Sequence, residues 1–175
     1  MARTSKEQNE QDVMKVIDAL EQNSKKNIDE IAKSCGFSRQ KVWRIIKKLE
    51  GNRNIWGYTA IVDAKIKDLQ KFMLSIKRSQ KMLDKKSINE IAYERLGKII
   101  LNLGVTIESS YYVHGEYDWI LIFTAKNLRD AKKFTNILFS AYPGIIDKVN
   151  LSQILFSQRD HRIENPDQMK LMEFL

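Results

Sequence analysis

Apolar residues in the first third of the chain recur at intervals of three and four, which is the spacing of an amphipathic helix. Three such stripes follow one another along the sequence. They are Val13, Val16, Ile17 and Leu20; then Ile28, Ile31, Ala32 and Cys35; then Val42, Ile45, Ile46 and Leu49. Because residues at this spacing lie on one side of a helix, each stripe needs a partner that covers it. We therefore predict three helices that share one core.

Residues with strong end preferences mark the boundaries of the second and third helices. Asn27 is the predicted N-cap of the second helix, with Glu30 three residues later. Gly36 is predicted to end this helix, because glycine readily takes the left-handed conformation found there. Ser38 then caps the third helix. The resulting order of helix, tight turn and helix predicts a helix-turn-helix domain, winged or plain.

The third predicted helix carries a polar and cationic side opposite its apolar stripe. Gln40, Trp43, Arg44 and Lys47 repeat the helical spacing on that side, with Arg39 beside them. Glutamine and arginine can make paired hydrogen bonds to adenine and guanine edges in the major groove, whereas lysine suits phosphates. We therefore predict that this helix binds double-stranded DNA. The predicted DNA-binding residues are Ser38, Arg39, Gln40, Trp43, Arg44, Lys47, Lys48 and Arg53.

The charge balance agrees with an anionic partner but does not require one. The whole chain has a formal net charge of +8, and residues 38–53 hold six basic side chains against one acidic side chain, a balance of +5. Charge runs also occur on surfaces that only face solvent, so the alternative is a surface helix whose Trp43 packs against another part of the protein. In the DNA-binding interpretation, Gln40 and Arg44 contact bases and Trp43 contacts a thymine methyl group or a sugar. Phosphates would be held by Arg39, Lys47, Lys48 and Arg53.

Residues 54–63 have the alternation of a strand rather than of a helix. Trp56, Tyr58, Ala60 and Val62 would occupy one face of it. We predict a short β segment here, either a wing or a hinge strand.

The rest of the chain alternates between strand and helix patterns. The predicted elements are a strand at 72–76, a helix from Ser87 to Leu103, strands at 105–113 and 119–123 joined by a turn at 114–117, a helix capped by Asn127, and a strand at 145–156. This order is the βαββαβ motif of a ferredoxin-like domain. The fold class is thus α+β, with the helix-turn-helix domain and its β segment at 1–63, a linker at 64–70, a ferredoxin-like (RAM/ACT-like) dimerisation and effector domain at 71–158, and a tail at 159–175.

A ferredoxin-like sheet has helices on one face only, so the composition of its open face decides whether it needs a partner. The residues assigned to the open face are Tyr112, Trp119 or Ile120, Ile122 or Phe123, and Ile154 or Phe156. An apolar open face invites a symmetric partner, and we therefore expect a homodimer. The tail ends in apolar residues and predicts a short helix that docks on a neighbour.

Two stretches of this sequence resemble the leucine-responsive, or Lrp/AsnC, family of feast-famine regulators. The first runs from Ile28 through the Gly36-Phe37-Ser38 turn to Gly57-Tyr58-Thr59-Ala60-Ile61-Val62-Asp63. The second is Val113-His114-Gly115-Glu116-Tyr117-Asp118-Trp119, which is similar to the hairpin between the second and third strands of that family's regulatory domain. The likeness spans about residues 11 to 158 and depends on the order of the two motifs.

The resemblance implies a transcription regulator that acts as a dimer, or as an octamer built from dimers. The third helices of a dimer would enter successive major grooves of a pseudo-palindromic site, with half-sites about 34 Å apart or a multiple of that distance. It also implies a small-molecule effector such as an amino acid, bound near Gly115, Tyr117 and Asp118. The alternative for Gly115 and Asp118 is that they only shape the turn.

Other classes of protein are less well supported by the sequence. No stretch approaches the roughly 20 apolar residues of a membrane span, and the start lacks the apolar core of a signal peptide, so a cytoplasmic location is expected. Cys35 is the only cysteine, and His114 and His161 are far apart, so no metal site, cofactor or catalytic group is predicted.

Two alternatives stay open. One is an enzyme resembling the sirohaem decarboxylases, which share the two-domain plan, and the other is a metabolite sensor that does not touch DNA. General acid chemistry on a tetrapyrrole would need converging histidines or arginines, and the sequence offers no such group. A sensor would show no salt-sensitive binding to duplex DNA.

Overall fold

The computed structural model describes residues 2–81 and 103–175. The chain divides into two compact units, and each unit includes a part of the C-terminal tail. The first unit holds Met1–Ile61 and Gln158–Met169, and the second holds Val62–Ser157 and Lys170–Leu175. The tail was expected to lie on a neighbouring molecule, but its residues 158–169 group with the N-terminal helices. The exact domain boundaries derived from the sequence stay predictions.

Three helices form the first unit, as predicted from the three apolar stripes. They are α1 (Ala2–Gln22), α2 (Ile28–Cys35) and α3 (Arg39–Gly51). Each helix contributes a side chain that is almost fully buried, namely Val16, Ile31 and Val42, with exposures of 0%, 1% and 0%. Ile45 and Leu49 extend the same core along α3. The apolar side of α3 is therefore turned inward, which leaves its opposite side available.

The predicted helix ends are confirmed in atomic detail. The Asn27 side chain accepts a hydrogen bond from the Glu30 amide at 2.9 Å, and the Glu30 carboxylate accepts one from the Asn27 amide at 2.9 Å. Gly36 has φ of 71° at the C-terminal end of α2. The Ser38 hydroxyl accepts from the Lys41 amide at the start of α3. N-caps of this kind stabilise a helix by about 1 kcal/mol each, so the turn between α2 and α3 is defined by local contacts.

The β segment predicted at residues 54–63 is wrong for this chain. These residues form no ladder with any strand in the described part of the chain. Instead, the Asn54 and Ile55 amides both donate to the Leu49 carbonyl at the end of α3. Trp56 is 96% exposed and Tyr58 is 51% exposed. An alternating sequence pattern favours a strand, but a strand also needs a neighbour whose backbone groups are free, and residues 2–81 and 103–175 place none beside it.

The second unit is built on a four-stranded antiparallel sheet. Its elements are a short 3-10 turn (Ala64–Lys67), β1 (Gln70–Arg78), β2 (Thr106–Tyr112), β3 (Trp119–Ala125), α4 (Leu128–Ala141) and β4 (Ile146–Ile154). The strand order is β2-β3-β1-β4, with β1 between β3 and β4. The helix predicted from Ser87 to Leu103 lies outside the described residues. The α+β, ferredoxin-like fold class is confirmed.

The helix-covered face of this sheet holds the larger core of the protein. Phe72 on β1 stacks on Phe123 of β3 with ring centroids 5.5 Å apart. Phe123 in turn meets Phe134 of α4 edge-on at 4.9 Å. Trp119 packs edge-on against Tyr142 at the end of α4. These aromatic residues fix α4 across the centre of the sheet.

The open face of the sheet is less apolar than predicted. Of the alternatives left open by the sequence, Ile120 and Ile122 face this side, because Trp119 and Phe123 belong to the helix-covered core. Tyr112 was also assigned to the open face, but it pairs with Trp119 and stacks on its ring at 6.2 Å. The strand register surrounds Ile120 and Ile122 with Met73, Ser75, Tyr111, Asn150 and Ser152. The open face is therefore mixed in polarity.

The C-terminal tail contains two short elements. A two-stranded hairpin joins β5 (Arg159–Asp160) to β6 (Ile163–Glu164), and a 3-10 helix spans Gln168–Phe174. The Phe174 ring lies 6.3 Å from the ring of Phe156, within the second unit. Among the described residues, no helix combines the length and the apolar character needed to cross a membrane.

Candidate nucleic-acid interface

The outward side of α3 carries the residues predicted to bind DNA. Gln40, Arg44 and Lys47 are exposed, opposite the buried residues of the same helix. Trp43 is half-exposed, with 50% of its surface accessible, and so is not packed into the core of its own unit. The outer side of α3 therefore presents an aromatic plane among hydrogen-bond donors. Ser38 caps its N-terminus, while Lys48 and Arg53 are exposed near its C-terminal end.

Several of these cations have partners within the first unit. The Arg39 guanidinium lies 3.3 Å from the Asp29 carboxylate on α2, and both side chains are more than half exposed. The Arg44 Nε donates to the Gln40 carbonyl one turn earlier, at 3.4 Å. Exposed pairs of this kind contribute little stability, about 0 to 1 kcal/mol. The cations are thus held in place loosely enough to exchange their partners for phosphates.

Glu50 links the end of α3 to the segment that follows it. Its carboxylate accepts from the Lys47 ammonium at 2.9 Å and from the Tyr58 hydroxyl at 3.2 Å. The hydrogen bond from Lys47 lowers the pKa of Glu50, while burial and the nearby Glu50 charge raise the pKa of Tyr58. Glu50 is therefore ionised at neutral pH and holds Lys47 on the protein.

An ion pair whose carboxylate is nearly buried connects α1 to α3. Asp12 is 5% exposed and its carboxylate lies 2.5 Å from the Lys41 ammonium. Lys41 also lies over the Phe37 ring, 4.1 Å from its centroid. The hydrogen bond from Lys41 is the main cause that lowers the pKa of Asp12. Because the folded-state pKa is lowered, this contribution to stability is present at neutral pH and is lost as the pH falls through that value.

The hairpin between β2 and β3 carries the residues predicted to bind an effector. Asp118 is firmly used by the fold: its Oδ2 accepts from the Arg78 amide at 2.8 Å and lies 3.3 Å from the Lys77 ammonium. The Asp118 amide donates to the Ile76 carbonyl. The hydrogen bond from Arg78 is the largest cause that lowers the pKa of Asp118. Asp118 thus ties the hairpin to the end of β1, as the turn-shaping alternative predicts.

The other two candidate effector residues lie beside Asp118 in sequence. Gly115 is exposed, its φ is not in the left-handed region, and a Cβ built on it would meet nothing within 4 Å. The backbone reason suggested for a glycine here is therefore absent from the structure. Tyr117 is half-buried. Both residues are sequence neighbours of Asp118, and their roles in effector binding stay predictions.

Comparison with known proteins agrees with both units of the structure. Residues 13–52 match the family model described as winged helix-turn-helix DNA-binding. The structure of an AsnC family transcriptional regulator from Agrobacterium tumefaciens is similar over 90% of this chain and 97% of that chain, with a TM-score of 0.66 and 18% identity. The chain has the two-domain fold of the Lrp/AsnC regulators. The resemblance seen in the sequence is thereby confirmed.

Other known proteins are similar to this chain in structure or in sequence. The feast or famine regulatory protein from M. tuberculosis, solved in complex with L-methionine, covers 87% of this chain and 96% of its own, with a TM-score of 0.65 and 20% identity. The uncharacterised HTH-type transcriptional regulator YugG of Bacillus subtilis is 23% identical over 134 residues, which are 75% of this chain and 76% of YugG. The similarity thus extends over both units of the Lrp/AsnC fold.

Sequence reasoning missed the acidic residues that organise the interface of this Lrp/AsnC fold. Asp12 had a detectable signal, because it precedes Val16 by four positions and so lies on the buried side of α1. Glu50 had no such signal, since its link to Tyr58 depends on how residues 52–58 turn back. Within the described residues, no group of three or more histidine, cysteine, aspartate or glutamate side chains is placed to hold a metal ion.

Replacing Glu50 with glutamine is expected to strengthen duplex binding by about two- to fivefold. The substitution removes a negative charge beside the residues predicted to bind phosphates and releases Lys47 from a competing carboxylate. Tyr58→Phe is the matched control, because it removes the other hydrogen bond to Glu50 and leaves the charge in place. Fluorescence anisotropy with one labelled duplex measures both variants. Weaker binding by Glu50→Gln would show that holding Lys47 in position matters more than freeing it.

Proposed function

We propose that this chain is a sequence-specific DNA-binding transcription regulator of the Lrp/AsnC type. The observation that carries the proposal is the outer side of α3, where Gln40, Trp43, Arg44 and Lys47 are exposed while the inner side is buried. A helix that follows a tight turn and presents such a side is the element that enters a major groove. The match of residues 13–52 to a winged helix-turn-helix DNA-binding family supports the same function.

Within this interface we assign two kinds of contact. Gln40 and Arg44 contact base edges, because their planar groups match adenine and guanine, and Trp43 contacts a thymine methyl group or a sugar. The residues assigned to phosphates are Arg39, Lys47, Lys48 and Arg53. The N-terminus of α3, which Ser38 caps, would lie beside the DNA backbone. Arg53 lies just beyond α3 with φ of 57°.

The regulator is proposed to work as a homodimer, or as an octamer built from dimers, on a pseudo-palindromic site. Two copies of α3 would meet half-sites about 34 Å or a multiple of that distance apart. The open sheet face would supply the contact with the partner. Its apolar residues are Met73, Tyr111, Ile120 and Ile122, and polar groups lie among them. As a regulator of genes, the protein would act in the cytoplasm.

We further propose that a small molecule, such as an amino acid, modulates DNA binding. The feast or famine regulatory protein with this fold was solved with L-methionine, and the hairpin with Gly115, Tyr117 and Asp118 is the candidate position here. Since Oδ2 of Asp118 already binds Arg78 and Lys77, the other carboxylate oxygen would have to bind the effector. No catalytic role is part of this proposal.

Selection of bound duplexes from a random pool, with and without a mixture of amino acids, tests the proposal. A regulator yields a pseudo-palindromic consensus with regular half-site spacing, and an effector changes the yield or the consensus. A pool that stays unenriched in both conditions would contradict the proposal and favour a sensor without DNA binding. Incubation with sirohaem addresses the enzyme alternative, because a shifted absorbance spectrum with product formation would indicate decarboxylation.

A further inference from the structure

The β5–β6 hairpin of the C-terminal tail is part of the first unit, here called the DNA-binding unit. Asp160 pairs with Ile163 in an antiparallel ladder, and the Arg159 guanidinium binds the Glu164 carboxylate across it. The Asn165 amide donates to the Gln158 carbonyl at 2.9 Å and closes the base of the hairpin. These contacts make residues 158–165 a compact β-hairpin, an element that was not predicted from the sequence.

The turn of this hairpin is conformationally demanding. It consists of His161 and Arg162, whose φ values are 44° and 68°. Two positive φ values in a two-residue turn are the pattern of a type I′ turn, for which asparagine and glycine are the usual residues. Residues with a bulkier side chain rarely take this conformation, because their Cβ makes it strained.

The second turn residue contacts α1. The Arg162 guanidinium binds the Glu21 carboxylate and lies 3.9 Å from the Asp18 carboxylate. Glu21 and Asp18 are three residues apart and lie on one side of α1. The His161 and Arg162 side chains also line a cleft with Ile17 and Leu20, on the same part of α1. The turn therefore reaches α1 at its C-terminal end.

Separate ion pairs link α1 to the hairpin at one end and to α3 nearer its middle. Arg162 binds Glu21 near the C-terminal end of α1, and Asp12, earlier on α1, binds Lys41 of α3. A helix transmits a displacement along its axis because its backbone hydrogen bonds keep it rigid. A hairpin that holds the end of α1 consequently also restricts α3.

We propose that the hairpin Arg159–Glu164 is a clasp on the DNA-binding unit, and that Arg162 is a positioning residue for DNA binding. The proposal rests on the proposed function only for its DNA-binding part. Arg162 acts through Glu21 and Asp18 on α1 and does not itself touch DNA. When the clasp is docked on α1, α3 keeps the orientation that fits the major groove. Loss of the clasp therefore lowers DNA affinity without changing the number of phosphate contacts.

The clasp is expected to be reversible. The side chains of Arg162, Asp18 and Glu21 are 66%, 57% and 50% exposed. Ion pairs this exposed are weak and are screened by salt. A contact of this strength, set against a demanding turn, lets the hairpin detach and dock again in the folded protein.

Glycine substitutions at the two turn positions separate the turn from the contact. Both His161→Gly and Arg162→Gly remove a Cβ at a positive φ and so ease the turn, but only the second removes the contact to α1. In the full chain without DNA, hydrogen exchange of the amides in residues 17–22 should speed up by about two- to tenfold in Arg162→Gly and stay the same or slow down in His161→Gly. Equal effects of the two variants, or no change in Arg162→Gly, would overturn the clasp.

Duplex binding then tests the positioning role. Arg162→Gly should weaken binding by about two- to fivefold at low salt, and Arg162→Lys should restore most of the affinity because it keeps the positive charge. In a Glu21→Gln background, Arg162→Gly should have a smaller effect than in the wild type. An equal loss of affinity on Arg162→Gly in the wild-type and Glu21→Gln backgrounds would mean that Arg162 does not act through Glu21 and would overturn its positioning role.

The two readouts fail separately. If the wild-type chain does not bind any duplex, the proposed function is wrong, whereas the exchange measurement still decides whether the clasp exists. If Arg162→Gly loosens α1 but binds the selected duplex as tightly as the wild type, the clasp stands as a structural feature and the positioning role is overturned.

Discussion

Raising the salt concentration from 50 to 200 mM is expected to weaken duplex binding by about 10³- to 10⁵-fold. This expectation assumes that each half-site engages three or four phosphates, so that a pair of chains engages about six to eight. The exposed cations of the interface offer that number of contacts, with Arg39, Lys47, Lys48 and Arg53 on each chain. Anisotropy titrations at four or more salt concentrations measure the slope of log affinity against log salt.

A nearly flat salt response would show that phosphates do not drive binding. The partners already present in the protein should make the slope somewhat shallower, because Arg39 and Lys47 exchange Asp29 and Glu50 for phosphate when DNA binds. Salt screens these protein pairs as well, which reduces the cost of releasing them. Glu50→Gln is therefore expected to steepen the slope slightly, since in this variant Lys47 binds phosphate without first leaving a carboxylate.

Replacing Arg44 with alanine is expected to cost about 1 to 3 kcal/mol of duplex binding and to relax specificity at one position of the half-site. Arg44 is exposed at the centre of the outer side of α3, and its only described hydrogen bond is to the Gln40 carbonyl of its own helix. Its guanidinium is thus free to turn toward a guanine edge. Affinities for the selected duplex and for each of its single-base variants at that position provide the measurement.

Lys48→Ala is the matched comparison, because Lys48 is also exposed on α3 and is assigned to a phosphate. It should weaken binding to all duplexes alike and lower the salt slope by about 1. If both variants lost affinity uniformly across sequences, the division between base contacts and phosphate contacts would be refuted. Melting curves of the two variants should match the wild type, since both side chains are on the surface.

The acidic partners of the α3 cations give the interface a property that net charge alone does not describe. Asp29 and Glu50 pair with Arg39 and Lys47, while Lys41 pairs with Asp12, whose side chain is nearly buried. The first two pairs are exposed enough to open for DNA, whereas the Asp12 pair is placed to fix α3 on α1. Similar cations on one helix thus have different tasks, and the difference depends on the burial of their carboxylate partners.

The sequence by itself determined the features that depend on local chemistry and periodicity. The three stripes of α1, α2 and α3, the caps at Asn27 and Ser38 and the left-handed Gly36 were all predictable, because each depends on residues within a few positions of one another. The succession of strands along the chain in the second unit was predictable from the same kind of local pattern. The outer side of α3 was predictable too, since it is the complement of a buried stripe.

Only the tertiary structure decided the contacts between residues far apart in the chain. The strand predicted at residues 54–63 failed because pairing needs a neighbouring backbone, which a local pattern does not contain. Asp118 serves β1 through Arg78, forty positions away, and Arg162 reaches Glu21 from the other end of the chain. Periodicity specifies which side of an element is buried, but the partner of an ion pair or of a strand edge is specified only when the whole chain has folded.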